Sequence, residues 1–284
     1  LLENQNITKM ICDRLSLNNK PSIKKLQNFI KTYKNPDSEI KIAMCGKYTE
    51  LHDAYKSITE SFIHAGVENN TKVKVKWINT EKIKNDQDAA KSFKDIDGIL
   101  LPGGFGSRGA KGKILTSKFA RENNIPFLGI CLGLQCAVID YARNVCNIDD
   151  ANSSEFKPKS KHKVIDLMES QKAIKLKGGT MRLGSYDCEI STGTKAYSIY
   201  RKKTISERHR HRFEVNNKYV SKMKKNGLIF SGMNKKLGVV EIIELKNHPW
   251  FVGCQFHPEL KSRVDKAHPL FREFVKASLK NSKN

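Results

Sequence analysis

Pro126-Phe127-Leu128-Gly129-Ile130-Cys131-Leu132-Gly133-Leu134-Gln135 is the stretch on which the reading of this 284-residue sequence turns. Residues 126–130 form a short apolar run of the kind that enters a sheet as a buried strand. From Leu132 to about Tyr141 the apolar spacing becomes helical. A strand that ends at a cysteine, with glycines two positions to either side and a helix beyond, has the form of a nucleophile elbow. Cys131 stands where a hydrolase of that design carries serine. The glycines permit a tight turn and close backbone approach. The start of the helix would bring N–H groups and a positive dipole end to the sulfur, favouring a thiolate and any oxyanion formed beside it. On these residues alone, a buried thiol in a glycine-bounded turn fits equally well.

Working outward, strands and helices alternate. Residues 39–46 alternate and then turn apolar, 54–64 have helical spacing, and 72–78 alternate cleanly. Residues 96–101 form a short buried strand and 113–123 a helix. This order predicts βαβ units, a mostly parallel central sheet and flanking helices. Residues 147–177 are polar and lysine-rich, with 157–161 as an exposed loop. Segments 197–200, 228–230, 239–243 and 250–254 read as short strands, and 270–279 as an amphipathic helix. Residues 1–37 are rich in Lys and Asn, with helical spacing at 7–17 and 23–33, and end in the turn signal Lys34-Asn35-Pro36-Asp37.

Composition narrows the function. Hydrophobic residues at 38% support a packed core. No apolar run approaches the ~20 residues of a membrane span, and the N-terminus shows no signal pattern. It lacks a methionine too, so the sequence reads as a piece of a longer chain. The seven cysteines are odd in number and include no CxxC pair, so no metal site or disulfide framework is indicated and a reducing, cytoplasmic setting is expected. A net charge of +23 suggests a polyanion partner. The lysines are nevertheless spread along the chain without interleaved aromatics, which argues against nucleic acid.

Two further segments carry chemistry. Gly253-Cys254-Gln255-Phe256-His257-Pro258-Glu259 places a histidine at a strand end with a carboxylate two residues on. A cysteine nucleophile needs such a base, and the base needs a partner that fixes its tautomer. His-Pro is also common in plain surface turns. Pro102-Gly103-Gly104-Phe105-Gly106 could turn an N–H toward an oxyanion or cradle a phosphate. It lacks a Gly-Lys-Ser/Thr ending, and Lys111-Gly112-Lys113 does not supply one, so nucleotide hydrolysis is not indicated.

The segments P-G-G-x-G, G-I-C-x-G-x-Q and F-H-P-E, in this order, resemble the class I glutamine amidotransferases. Three more segments narrow the likeness to the glutaminase half of the CTP synthase family: Gly46-Lys47-Tyr48 with Asp53-Ala54-Tyr55-Lys56-Ser57, then Gly179-Thr180-Met181-Arg182-Leu183-Gly184, then residues 207–216. The resemblance implies a flavodoxin-like three-layer α/β domain over 38–284, with 1–37 a remnant of an interdomain linker. It implies Cys131 as nucleophile, His257 as acid/base and Glu259 as its orienting partner. The N–H groups of Gly104 and Leu132 would form the oxyanion hole and line the glutamine site. Gln135 would line the pocket, Glu155 would bind the α-ammonium of L-glutamine and Arg212 its α-carboxylate. Arg182 would belong to a lid through which GTP acts as allosteric activator, and Arg108 would contact that nucleotide. No cofactor is expected in this domain. ATP and Mg2+ would serve a synthetase domain of the same full-length chain, which the family assembles as a homo-oligomer, a tetramer. Another amidotransferase, or a non-catalytic polyanion-binding module on the same fold, are the competing readings. Residues 208–216 argue against the first, and the set Cys131, His257 and Glu259 against the second.

Overall fold

Strand β1 (Ser38–Gly46) shows how the sequence makes the sheet. Ile40, Ile42 and Met44 enter one hydrophobic cluster, and Ala43 and Cys45 the other. That is the period-two pattern of a strand buried on both faces. In the computed structural model, which describes residues 3–18, 22–47, 49–167 and 181–283, β1 pairs in parallel with β2 (Thr71–Asn79) and β3 (Gly98–Leu101). Then β4 (Phe127–Ile130) and β12 (Phe251–Cys254) extend the parallel block. From β12 the sheet continues antiparallel through β11 (Val239–Leu245), β10 (Leu228–Asn234), β7 (Arg182–Ile190) and β8 (Thr204–His211). The nine-stranded order is β2-β1-β3-β4-β12-β11-β10-β7-β8. The sheet is therefore mixed, and its parallel half is the part visible as βαβ units. A small second sheet joins β5 (Ala151–Ser153), β6 (His162–Leu167) and β9 (Phe213–Val215).

Helices α1 (Ile7–Arg14) and α2 (Lys24–Lys34) have no buried residue. Helix α3 (Lys56–Glu68) lies on one face of the sheet with the C-terminal helix α9 (Pro269–Asn281), and Phe62 meets Phe271 edge-on at 5.6 Å. The other face is covered by α4 (Asp86–Ser92), α5 (Ala110–Glu122) and α6 (Leu132–Asn144). This is the three-layer arrangement expected of a flavodoxin-like domain. Among the described residues, the remaining α-helices are α7 (Lys195–Tyr200) and α8 (Asn217–Lys225).

Residues 197–200, read as a strand, lie in α7, and the reason is capping. Thr194 accepts the Tyr197 N–H at 3.1 Å, and the two carboxylate oxygens of Glu244 accept the N–H groups of Lys195 and Ala196 at 2.7 and 3.0 Å. Anionic acceptors on the first helical N–H groups outweigh the weak strand preference of Tyr-Ser-Ile-Tyr. Strands β7 and β8 escaped the sequence reading for a different reason. The buried positions of β8 are Ile205, Glu207, His209 and His211, so its inward face is mostly polar and shows no apolar alternation.

The sheet and α6 meet at closest range over glycine. A Cβ on Gly129 would stand 2.8 Å from the Gly133 carbonyl carbon, and one on Gly253 would stand 3.2 Å from the Leu134 Cβ. A Cβ on Gly133 would overlap the Leu101 carbonyl oxygen at the end of β3. Replacing Gly133 by Ala should therefore lower stability by about 1–3 kcal/mol, the usual cost of overpacking. The urea midpoint should fall, and alkylation of Cys131 by iodoacetamide should slow in step as the turn is displaced.

Candidate active site

Cys131 sits between β4 and α6 with φ +51° and ψ −101°, a conformation that non-glycine residues rarely adopt. It is held there by the register of the sheet, since its N–H donates to the Cys254 carbonyl at 2.7 Å. The first turn of α6 receives no side-chain cap from Cys131, so its leading N–H groups stay oriented toward the site. The Sγ lies 4.0 Å from the Arg210 carbonyl oxygen on β8.

The turn after β3 closes on this cysteine. A Cβ on Gly103 would stand 2.9 Å from the His257 ring and 3.5 Å from the Cys131 Cβ. The same position on Gly104 lies 3.5 Å from both the Leu132 side chain and the Lys113 Nζ. Further along, Gly106 takes φ +82° and donates its N–H to Glu155 Oε1 at 2.7 Å, while Lys47 Nζ donates to the Phe105 carbonyl at 2.6 Å. Charged side chains thus fasten a loop that has few apolar contacts of its own.

His257 follows β12, and its N–H donates to the Arg208 carbonyl at 2.8 Å. Its Nδ1 lies 2.7 Å from Glu259 Oε1, in the short turn Pro258–Leu260. With Nδ1 held by the carboxylate, Nε2 makes no hydrogen bond of standard geometry and interacts instead with the Cys131 sulfur. Burial alone would lower the imidazole. The contacts with Cys131 and Glu259 outweigh it and push His257 up to about 11. Cys131, His257 and Glu259 line one cavity of about 430 Å³ together with Gly103 and Gly104.

The other expected substrate residues are less direct. Glu155 and Arg212 line a second hollow with Lys163 and Phe213. Glu155 is partly engaged by Gly106, and burial raises its pKa against the pull of that N–H and of the nearby cations. Arg212 keeps a buried Nε without a partner. Gln135 is not among the residues lining the Cys131 cavity. Its Nε2 donates to the Phe213 carbonyl at 2.8 Å and to Gln255 Oε1 at 3.2 Å, tying α6 to β9 and to the strand end before His257.

Arg182, which the resemblance places in a lid segment, is described only together with the end of that segment, from residue 181 onward. Gly179 and Thr180 of the supposed lid lie outside the described residues, but Arg182 opens β7 and is only 4% exposed. It donates to Glu214 Oε1 at 2.8 Å and Glu241 Oε1 at 2.7 Å, and its guanidinium lies over the Tyr186 ring. His209 adds a contact of 2.7 Å to Glu241, and His211 one of 2.7 Å to Glu214. Burial pushes His211 down. Glu214 would be raised by burial, yet His211 and Arg182 hold it below the usual carboxylate range. This network lies behind β8, the strand that carries Arg208 and Arg210 past the cavity. Arg108 pairs with Glu81 at 3.4 Å and stays exposed.

Lys113 was missed as a site residue. It is 2% exposed and lines the cavity with Cys131. Its signal was phase: it shares the buried stripe of α5 with Ala110, Ile114 and Ser117.

The family model for class I glutamine amidotransferases matches residues 50–277. The chain is 51% identical over 280 residues to a CTP synthase of Cytophaga hutchinsonii, covering 98% of this chain and 52% of that protein. It is 56% identical over 260 residues to a CTP synthase of Pelodictyon phaeoclathratiforme, covering 91% of this chain and 46% of the relative. The chain thus spans about half the length of the curated relatives it matches. Among solved structures, the glutaminase domain of Trypanosoma brucei CTPS with bound acivicin superposes with a TM-score of 0.80 at 35% identity, covering 85% of this chain and 94% of that one.

Replacing Arg182 by Met would leave Glu214 and Glu241 buried without their cation. It should cost about 3–5 kcal/mol in urea unfolding, the penalty for breaking a buried ion pair from one side. An arginine in an exposed lid would change stability by no more than about 0.5 kcal/mol.

Proposed function

Because the chain belongs to the class I glutamine amidotransferases and corresponds to the glutaminase portion of CTP synthase, we propose that Cys131 is the nucleophile that releases ammonia from L-glutamine. The sulfur attacks the side-chain carboxamide, and the N–H groups of Gly104 and Leu132 hold the oxyanion of the tetrahedral intermediate. His257 donates the proton on which ammonia leaves, and then takes one from the water that cleaves the γ-glutamyl thioester. Glu259 fixes the imidazole so that Nε2 faces the sulfur. The single observation that carries this reading is the pair His257–Glu259 at 2.7 Å beside a cysteine held at φ +51°.

Glu155 and Arg212 supply the anion and the cation that a zwitterionic amino acid needs. Gln135 supports the site by fixing α6 against residues 213 and 255. In the longer protein, residues 1–37 link this domain to a synthetase domain that activates UTP with ATP and Mg2+ and aminates it to CTP in pyrimidine biosynthesis. The full protein works as a homo-oligomeric, cytoplasmic ligase, with GTP as activator. We assign exposed Arg108, beside Glu81, to the GTP response.

A glutamine-like diazo-ketone amino acid, or acivicin, tests the nucleophile. Label should fall stoichiometrically on Cys131: burial pushes the Cys136 thiol up to about 12 and raises Cys45, Cys146, Cys188 and Cys254 as well, and Cys12 lies on α1, outside the lining of the cavity that would hold a glutamine analogue. Peptide mapping that found label chiefly on Cys136 or Cys254 would overturn the assignment.

Replacing Arg212 by Ala should raise the KM for glutamine and leave kcat nearly unchanged, since the lost contact is equal in ground and transition states. A charge-assisted hydrogen bond of about 1.5–3 kcal/mol sets the size. Steady-state ammonia release measures it, and a loss confined to kcat would move Arg212 into the catalytic apparatus.

A further inference from the structure

The least expected group in the site is the Lys113 ammonium. Its side chain is among the largest fully buried ones, and it makes no hydrogen bond or ion pair with any described residue. Lysine is rarely buried without a partner, because removing an ammonium from water carries a large desolvation penalty. The surroundings are not neutral, however. Burial and the like charge of Lys47 pull the Lys113 pKa down, Cys136, Cys131 and Glu155 pull it up, and its Nζ stands 3.5 Å from where a Gly104 Cβ would be. It also lines the cavity into which Cys131 points. Its helix is pressed into place, since a Cβ on Gly112 would overlap the Thr80 carbonyl oxygen. The ammonium therefore cannot withdraw to solvent by a small shift of α5.

A buried cation that pairs with no carboxylate among the described residues is suited to a negative charge that appears in the cavity during the reaction. In the proposed hydrolysis a negative charge sits first on the Cys131 sulfur and then on the carboxamide oxygen. Both positions border the Gly103-Gly104 turn against which Lys113 packs. Glu155 lies within electrostatic reach of the ammonium but forms no ion pair with it, and one of its oxygens is engaged by the Gly106 N–H.

We propose that Lys113 is a positioning residue of the glutaminase site: a fixed positive charge behind the Gly104 turn that stabilises the Cys131 thiolate and then the substrate oxyanion, without touching substrate. No proton passes through it. The inference rests on the Cys131 reading above, and it places an electrostatic element on α5 that the Cys-His-Glu set does not contain.

Lys113→Met keeps an unbranched side chain, one atom shorter, and removes the charge. Three measurements on this chain decide the matter. The alkaline limb of iodoacetamide alkylation of Cys131 should move up by about one pH unit, as expected for losing a unit charge several ångströms away at an effective dielectric near 20. The kcat for glutamine hydrolysis should fall by about 10- to 100-fold with little change in KM, less than for losing a direct oxyanion donor. The thermal midpoint should hold or rise, because the variant no longer buries an unpaired charge. Lys113→Arg, which keeps the charge, should retain the alkylation limb. A limb unmoved in Lys113→Met, or a drop in kcat that merely follows a lowered thermal midpoint, would overturn the inference and leave Lys113 a packing residue. If the unsubstituted chain released no ammonia and its label fell elsewhere, the Cys131 reading would be the one to fail. The pH profile of cysteine alkylation would still decide the role of Lys113.

Discussion

The absence of side chains where α6 meets the sheet is the constraint from which the rest of the site follows. Helix α6 can begin directly at the end of β4 only because Gly129 and Gly133 meet without a Cβ between them, and because Gly133 lies against the Leu101 carbonyl. That closeness forces Cys131 into a left-handed backbone conformation and points its side chain out of the sheet. It also brings the ends of β3, β4 and β12 level with one another. The Gly103-Gly104 turn, the cysteine and His257 follow those three strand ends, so parallel pairing in the middle of the sheet delivers them to one place. The crevice at the carboxyl ends of parallel strands is where open α/β sheets generally bind ligands.

Around this apolar hinge, charge organises the backbone. Lys47 and Glu155 fasten the loop after Gly104, one through a carbonyl and the other through an N–H. On the far side of the cavity, Arg182, Glu214, Glu241, His209 and His211 form a buried set whose members are mostly within 2.8 Å of a partner. Such a set gains little net stability, because desolvation offsets attraction. It does fix the path of residues 207–214, and that path carries the carbonyls facing Cys131 and His257. The net charge of +23 is thus a poor guide to this interior, where carboxylates and cations are paired at short range.

How much of this could be read from sequence depended on whether a segment's burial was apolar. The five strands of the parallel block, the helices at 56–68, 110–122 and 132–144, and the cysteine turn were legible because period and glycine placement declare them. Strands β7 and β8 were read only as motifs, since their buried face carries Glu207, His209 and His211. Residues 197–200 were misread because their helix depends on Glu244, a residue distant in sequence. The burial of Arg182 was not legible, because one residue cannot announce the two carboxylates that pair with it. Helix α4 was passed over, being a short polar stretch with one buried residue, Ala89. The pairing of His257 with Glu259 was legible from a spacing of two, whereas the approach of that pair to Cys131 needed the pairing of β12 with β4.

Strand β8 closes the nine-stranded sheet and, among the described residues, pairs with β7 alone, so half of its backbone groups point away from the sheet. An open edge of this kind is a template for unwanted pairing with another chain. Here the outward carbonyls of Ser206, Arg208 and Arg210 face the Lys261 ammonium, the His257 N–H and the Cys131 sulfur in turn. The segment that carries the acid/base therefore also works as a hem along the sheet, occupying acceptors that a foreign strand would otherwise seek. Chemistry and colloidal behaviour are joined at this border: a lesion that loosens residues 257–261 would unseat the imidazole and, in the same motion, uncover an aggregation-prone margin.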